Sequence, residues 1–257
     1  MEAVETSRDG DITTWEIRRD GAVVGTATTA PRRGGSLLNG LDVPPAEAPA
    51  ALQALRDALR ELGETSLAVD APTDHAALTA AMASVPVEPG ATQMLLDLAR
   101  PVSAPPRVTL RPMDAEEYDG YRAHLVTGYA DDLFALGSFP DHAAALEASE
   151  QSTQELLPEG RDTPGQHLWS AYDGDDPVGI LWIHVEEPRA FIYDIEVHAD
   201  RRRRGYGREV LDAGALAARE LGAERLGLNV FGHNLGARTM YEQAGYDTTE
   251  HSYRIPV

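Results

Sequence analysis

Cysteine and lysine are both missing from this 257-residue chain. Without cysteine there can be no disulfide, no thiolate metal ligand and no thiol nucleophile, and no metal is expected. Without lysine, all 22 basic residues are arginine, set against 42 acidic ones, and the formal net charge is −20. A phosphate backbone is bound by an excess of positive charge, so the balance argues against nucleic acid as a partner. An acidic surface suits cationic acceptors such as amines, and it also serves solubility alone. Apolar runs of the roughly twenty residues that cross a bilayer are missing too, so no membrane partner is expected. The opening MEAVETSRDGD is acidic and polar, unlike a secretory leader. These absences together lead to the expectation of a cytoplasmic protein.

What is present is enough apolar residue, 42%, to bury real cores, and one stretch that carries chemistry. Phe191 to His198 alternates aromatic and β-branched residues with polar ones, the pattern of a strand. Strict period-two alternation places Asp194, Glu196 and His198 on one face and Tyr193, Ile195 and Val197 on the other. Arg201 to Arg204 come next, then Gly205, Tyr206 and Gly207, then a helical pattern over Arg208 to Leu221. A strand, a basic glycine turn and a helix start together form an anion cradle. The first N–H groups of a helix lack partners, its dipole adds positive potential, and glycine lets an anion approach the backbone closely.

Arg202 to Gly207 fits the pattern Arg/Gln-x-x-Gly-x-Gly/Ala. Further along, Asn234, Ala237, Tyr241 and Glu242 fit Asn-x-x-Ala-x-x-x-Tyr-Glu, and Gly245-Tyr246 closes the series. In this order the motifs resemble those of the GCN5-related N-acetyltransferases, the GNAT superfamily, over roughly Arg107 to the C-terminus. The runs around Gly160, Trp169, Val197 and Asn234 resemble a narrower bacterial subgroup of that superfamily. The resemblance implies an α/β fold (an α+β mixed sheet) and transfer of an acetyl group from acetyl-CoA to a primary amine of a small molecule or peptide, by direct attack in a ternary complex. It implies cofactor binding by Arg202, Arg203, Arg204, Gly205, Tyr206, Gly207 and Arg208: backbone N–H groups around Arg203 to Arg208 cradle the pyrophosphate, and arginine side chains reach the 3′-phosphate or raise the local potential. The pantetheine arm is expected along Ile195, Glu196 and Val197, with Asn234 contacting it. Tyr241 is expected to protonate or hydrogen-bond the leaving thiolate. Glu196 stands where family members place a carboxylate, acting as base through water or as ligand of the acceptor ammonium; Asp194, His167 and His233 are weaker candidates. A non-catalytic acyl-CoA-binding protein is the alternative. A nucleotide-binding turn is disfavoured, because neither the Lys-Ser/Thr of a P-loop nor a third spaced glycine follows.

The remaining chain reads as a second, earlier copy. A hairpin signal at Asp20-Gly21 separates strands over 11–19 and 22–29, and a third strand is expected over 36–43. Glu47 to Leu62 is an amphipathic helix with Leu52, Leu55 and Leu59 on one face and Gly63 as its stop. Shifting Glu61-Leu62-Gly63 by 159 residues gives Glu220-Leu221-Gly222, and the same shift carries Leu67 and Val69 to Leu226 and Leu228. A spacing shared across helix and strand points to internal duplication. At that offset the glycine turn is replaced by Val43-Pro44-Pro45-Ala46-Glu47-Ala48, where two prolines remove N–H donors and a glutamate adds negative charge. The expected organisation is therefore two GNAT-like domains, each a twisted mixed β-sheet flanked by helices. Residues 1–100 form a degenerate copy without a pyrophosphate loop, 101–106 a proline-rich linker, and 107–257 the catalytic domain. In the second copy a helix over Met113 to Val126 is expected to break at Gly128. A monomer or a homodimer is compatible with this reading.

Overall fold

The computed structural model describes residues 1–32, 35–87, 89–100, 105–135, 137 and 139–257. Most of the expected linker, residues 101–104, lies outside them. The chain packs as two compact units. The first comprises Met1–Gln93, Val230–Asn234 and Thr248–Val257; the second comprises Met94–Asn229 and Leu235–Asp247.

In the first unit, β1 (Glu2–Asp9), β2 (Ile12–Arg19), β3 (Ala22–Arg32) and β4 (Gly35–Asp42) pair in antiparallel succession. Asp20 and Gly21 turn β2 into β3 with φ of 51° and 79°. Two positive φ values in a two-residue loop match the twist of the flanking strands, which is why Asp-Gly signals a hairpin. Helix α1 (Ala48–Glu61) then crosses over to β5 (Ser66–Pro72), which pairs in parallel with β4 from Ser36/Leu67 to Leu38/Val69. A parallel pair needs such a crossover. The helix buries Ala51, Leu52, Leu55 and Leu59. These meet Trp15, Ile17, Leu38, Leu67 and Val69 from the strands in one core. Gly63, with φ 84°, stops the helix as expected. Helix α2 (Ala76–Met82) follows, capped by His75, whose Nδ1 accepts from the Leu78 N–H at 3.3 Å.

Strand β6 (Ala91–Asp97) straddles the boundary between the units. The second unit then repeats the plan with an added helical pair. It contains β7 (Val108–Pro112), α3 (Ala115–Ala135), α4 (His142–Leu156), β8 (Gln166–Asp173), β9 (Asp176–Glu186) and β10 (Arg189–Val197). After these come α5 (Tyr206–Glu220), β11 (Arg225–Phe231) and α6 (Leu235–Gln243), and the chain closes on β12 (Asp247–Pro256), which from Thr248 on belongs to the first unit. Strands β7 to β10 are antiparallel in succession, and β10 pairs in parallel with β11 across the α5 crossover. Adding 159 to the bounds of β5 gives those of β11, and adding it to the first residue of α2 gives that of α6. The offset read from a few leucines is thus a repeat of whole elements.

Three features depart from the sequence reading. The first strand, β1, was not foreseen; it is polar and mostly exposed, and it exists by pairing along β2. Gly128 does not end α3, which continues to Ala135. A mid-helix glycine costs about 1 kcal/mol, and here tertiary anchors on both sides of it offset that cost. Val126 and Ala130 are buried, and the Ser149 hydroxyl of α4 donates to the Val126 carbonyl at 2.8 Å. Most consequentially, β12 pairs antiparallel with β5, from Glu250/Pro72 to Pro256/Ser66. Residues 248–257, assigned from sequence to the later domain, therefore pack with the first unit, and a division at 101–106 does not describe the packing.

Candidate active site

The ladder between β10 and β11 runs from Arg189/Arg225 to Ile192/Leu228 and ends there. At the same point the pairing of β10 with β9 slips: Ile192 lies opposite Ile183 and Asp194 opposite Trp182, so Tyr193 is an extra residue. Such a bulge re-aims the side chains beyond it and ends local pairing. The Tyr193 ring stacks on Trp182 at 4.7 Å and meets Phe191 at 5.3 Å. It therefore shares the Asp194 side of the strand, not the side of Ile195 and Val197 that strict alternation gave it. Past the bulge, Asp194 to Val197 remain paired to β9. Gly179 of β9 sits so close that a Cβ there would lie 2.2 Å from the Glu196 carbonyl oxygen, so only glycine fits.

Two carboxylates follow the bulge, and helix α3 covers both. Tyr121 donates its hydroxyl to Asp194 Oδ2 at 3.1 Å. Burial pushes the Asp194 carboxyl up to about 6, with the Glu196 charge adding and the Tyr121 hydrogen bond opposing. Glu196 uses both oxygens: Oε1 accepts from Arg202 Nη2 at 3.0 Å, and Oε2 lies 2.9 Å from His124 Nε2. Glu116, Glu117, Tyr121, His124, Glu196 and His198 line an open cleft on this face. Tyr121 and His124 were not singled out from sequence as site residues. The available signal was their spacing, one helical turn apart, but Tyr121 falls on the apolar side of its helix, which reads as packing.

The raised Asp194 value has a thermodynamic consequence. A carboxyl whose folded value lies above its unfolded one favours folding when protonated, and that advantage is lost as pH rises through the folded value. Between the ordinary 3.8 and about 6, the difference corresponds to about 3 kcal/mol at full burial. Asp194 is partly accessible, so about 2 kcal/mol is expected. Asp194→Asn keeps an oxygen for Tyr121 and removes the charge. Urea titrations should show the variant about 2 kcal/mol more stable at pH 8, with the gap closing below pH 4; a gap independent of pH would refute the assignment.

The basic glycine turn has the form the sequence indicated, with a division of labour among its arginines. Arg203 and Gly205 have φ of 59° and 87°, and Gly205 is the residue from which α5 departs. Among the described residues no acceptor meets the N–H groups of 203–207, and a Cβ on Gly205 would touch nothing within 4 Å. An open space faced by free helix-start donors fits a phosphate group. Arg202 turns back to β10, its Nε donating to the Val197 carbonyl at 2.9 Å as well as reaching Glu196. Arg208 is held by Asp212 and by the Gln243 carbonyl, at 2.8 and 3.0 Å. Tyr206 donates to Asp173 at 2.7 Å, and the Arg107 guanidinium lies 4.6 Å from its ring centre. Arg203 and Arg204 have no carboxylate partner among the described residues and are exposed. They are the two free guanidinium groups of the turn.

Tyr241 is buried in α6, its ring 5.9 Å from that of Tyr246. Burial, with the Asp194 charge, pushes its hydroxyl up to about 12. Asn234 stands immediately before α6, in the segment that packs with the first unit. His167 stacks on Trp169 at 5.3 Å, and burial lowers its pKa. His233 stacks on Phe231 at 5.9 Å. Neither histidine lines the cleft beside Glu196.

A bulged strand whose ladder to its parallel neighbour ends at Ile192 is thus followed by a helix start whose N–H groups meet no acceptor among the described residues. The sequence profile of the acetyltransferase (GNAT) family matches residues 133–246. YycN of Bacillus subtilis, an uncharacterized N-acetyltransferase, is 40% identical over 149 residues, covering 56% of this chain and 94% of YycN. The YycN crystal structure superposes with a TM-score of 0.52 at 38% identity, covering 55% of this chain and 93% of that one. A GCN5-related N-acetyltransferase from Sphaerobacter thermophilus matches in fold alone, at 16% identity and a TM-score of 0.56, over 96% of this chain and 80% of its own. The chain belongs to the GNAT family of N-acetyltransferases. Enzymes of this family move acetyl groups to amine acceptors and generally use acetyl-CoA. Among the described residues no helix is long and apolar enough to cross a membrane.

Proposed function

We propose that the second unit transfers the acetyl group of acetyl-CoA to a primary amine of a small molecule or peptide, by direct attack with both substrates bound. The observation that carries this reading is the turn at 203–207, with free space at Gly205 and, among the described residues, no partner for its N–H groups or for two of its guanidinium groups. Backbone donors there hold the pyrophosphate, and Arg203 and Arg204 neutralise it. The arm of the donor runs along β10 past the bulge, where Ile195 to Val197 no longer pair with β11. The acceptor enters the cleft beneath α3, where Glu116, Glu117 and Glu196 favour a cationic amine. The bound ammonium first gives one proton to solvent; the neutral amine nitrogen then attacks the thioester carbonyl, the C–N bond forms, the C–S bond breaks, and the electron pair leaves on sulfur. Tyr241 offers its hydroxyl to that sulfur. A phenol near 12 keeps its proton against a thiolate of pKa around 8.5, so it acts as a hydrogen-bond donor to developing charge.

The first unit keeps the strand order and lacks the cradle. The turn before α1 carries Pro44 and Pro45, and the carboxylate of its Glu47 is paired with Arg19. We assign it no donor site. Calorimetric titration with acetyl-CoA tests both statements through its stoichiometry. One site per chain is expected. Two sites would overturn the reading of the first unit, and no binding would overturn the acetyltransferase reading of the second. Binding without transfer to any amine would favour a non-catalytic acyl-CoA-binding role.

A further inference from the structure

We propose that His124 accepts the proton of the attacking amine, and that Glu196 and Arg202 are its positioning residues. The proposal rests on the acetyl-transfer reading above. Glu196 holds the strand position where a base is expected, yet both its oxygens are committed, one to a guanidinium at 3.0 Å and the other to His124 at 2.9 Å. Contacts at both oxygens leave neither of them free to take the amine proton. They also make it a firm anchor. Arg202 is fixed in turn by the Val197 carbonyl at 2.9 Å, so the chain Arg202–Glu196–His124 starts on backbone and ends on an imidazole.

That imidazole is in the right place to work. The His124 side chain is 67% exposed while that of Glu196 is 28% exposed, and both line the acceptor cleft. Helix α3 cannot drift away from the strand, because Tyr121, one turn earlier, is buried and bonded to Asp194. With Glu196 accepting from Nε2–H, the free lone pair is on Nδ1, directed away from the carboxylate. A carboxylate on one ring nitrogen fixes the tautomer and stabilises the imidazolium that forms when the other takes a proton. Glu116, Glu117 and Asp194 add negative potential around the ring, and His198 faces the same cleft. In the reaction the nitrogen forms its bond to the acetyl carbon, sulfur leaves with the C–S electron pair, and the surplus amine proton passes to His124 Nδ1. Solvent then takes that proton, and solvent protonates the thiolate.

The test uses the full chain with 1,4-diaminobutane and glycylglycine as probe amines. His124→Ala should lower kcat about 100-fold, the low end for removing a general base, with the acetyl-CoA Kd unchanged. Added imidazole should restore part of the loss. Glu196→Gln, which can still accept from Nε2–H, should fall between the two. Long-range nitrogen-15 spectra of the imidazoles supply a readout independent of turnover: His124 should be the Nε2–H tautomer, and Glu196→Ala should release it. Wild-type turnover in His124→Ala, a loss that imidazole leaves untouched, or an Nδ1–H tautomer would each overturn the proposal and leave the acetyltransferase standing. No transfer to either amine by the wild-type chain, with the Nε2–H tautomer in place, would count against the acetyl-transfer reading instead.

Discussion

Gly205→Asp weakens acetyl-CoA binding at least 100-fold, or about 2.7 kcal/mol, while leaving the fold intact. The two halves of this expectation come from the same position. Gly205 has φ 87° and is the cap residue of α5. Aspartate adopts the left-handed region at a cost of roughly 1 kcal/mol. Its carboxylate also accepts from helix-start N–H groups, a gain over glycine of roughly a few tenths of a kcal/mol. Most of the roughly 1 kcal/mol cost remains, so the melting temperature should fall slightly with the fold retained. For the donor nothing offsets: the new carboxylate occupies the N–H groups meant for the pyrophosphate and repels it. Calorimetry and circular dichroism melts on the same preparation decide the matter. Unchanged affinity would mean that the phosphates lie elsewhere.

The second large effect is expected at Tyr241. Tyr241→Phe should lower kcat about 100-fold, within the range for a positioned proton or hydrogen-bond donor, with the acetyl-CoA Kd within about twofold. The ring contact with Tyr246 is kept by phenylalanine, so packing is not at issue. No hydrogen bond from the Tyr241 hydroxyl to another described residue stands to be lost, and stability should not fall. A residue that merely packs would give the opposite result, turnover unaffected. Because the hydroxyl titrates near 12, the wild-type rate should show no dependence on its ionisation below pH 10; a limb there would point to another environment for this phenol.

The parts legible in sequence were those written in local chemistry. Asp20-Gly21, Gly63 and Gly205 are demanded by positive φ, and the apolar face of α1 follows from its leucines. The repeat offset survived because β5 and β11 are short runs buried between neighbours. What escaped depends on partners distant in the chain. Strand β12 has one buried residue, Ile255, too few to make a pattern, and its identity as a strand comes from the backbone of β5. The slip at Tyr193 is a property of two strands together, so alternation within one of them assigned that ring to the wrong face. Asp194 ranked below Glu196 because burial by Tyr121 and α3 cannot be read from β10. The roles of Arg202 and Arg203 look identical in a run of four arginines. Only the backbone path separates the one that returns to Glu196 from the one that remains free.

The placement of β12 has a consequence for how the protein is made. The first unit is encoded at the start of the chain, but its β5 edge is completed by residues 248–257. When β1 to β5 have left the ribosome, their sheet is open at β5 as well as at β1, and the β5 edge waits until β12 has emerged. Open edges of this kind recruit other strands, and nascent multidomain chains are exposed to such mispairing during synthesis. The halves are thus duplicated as structures but not independent as products of translation, and a fragment cut at the proline-rich segment would carry an unfinished sheet into solution.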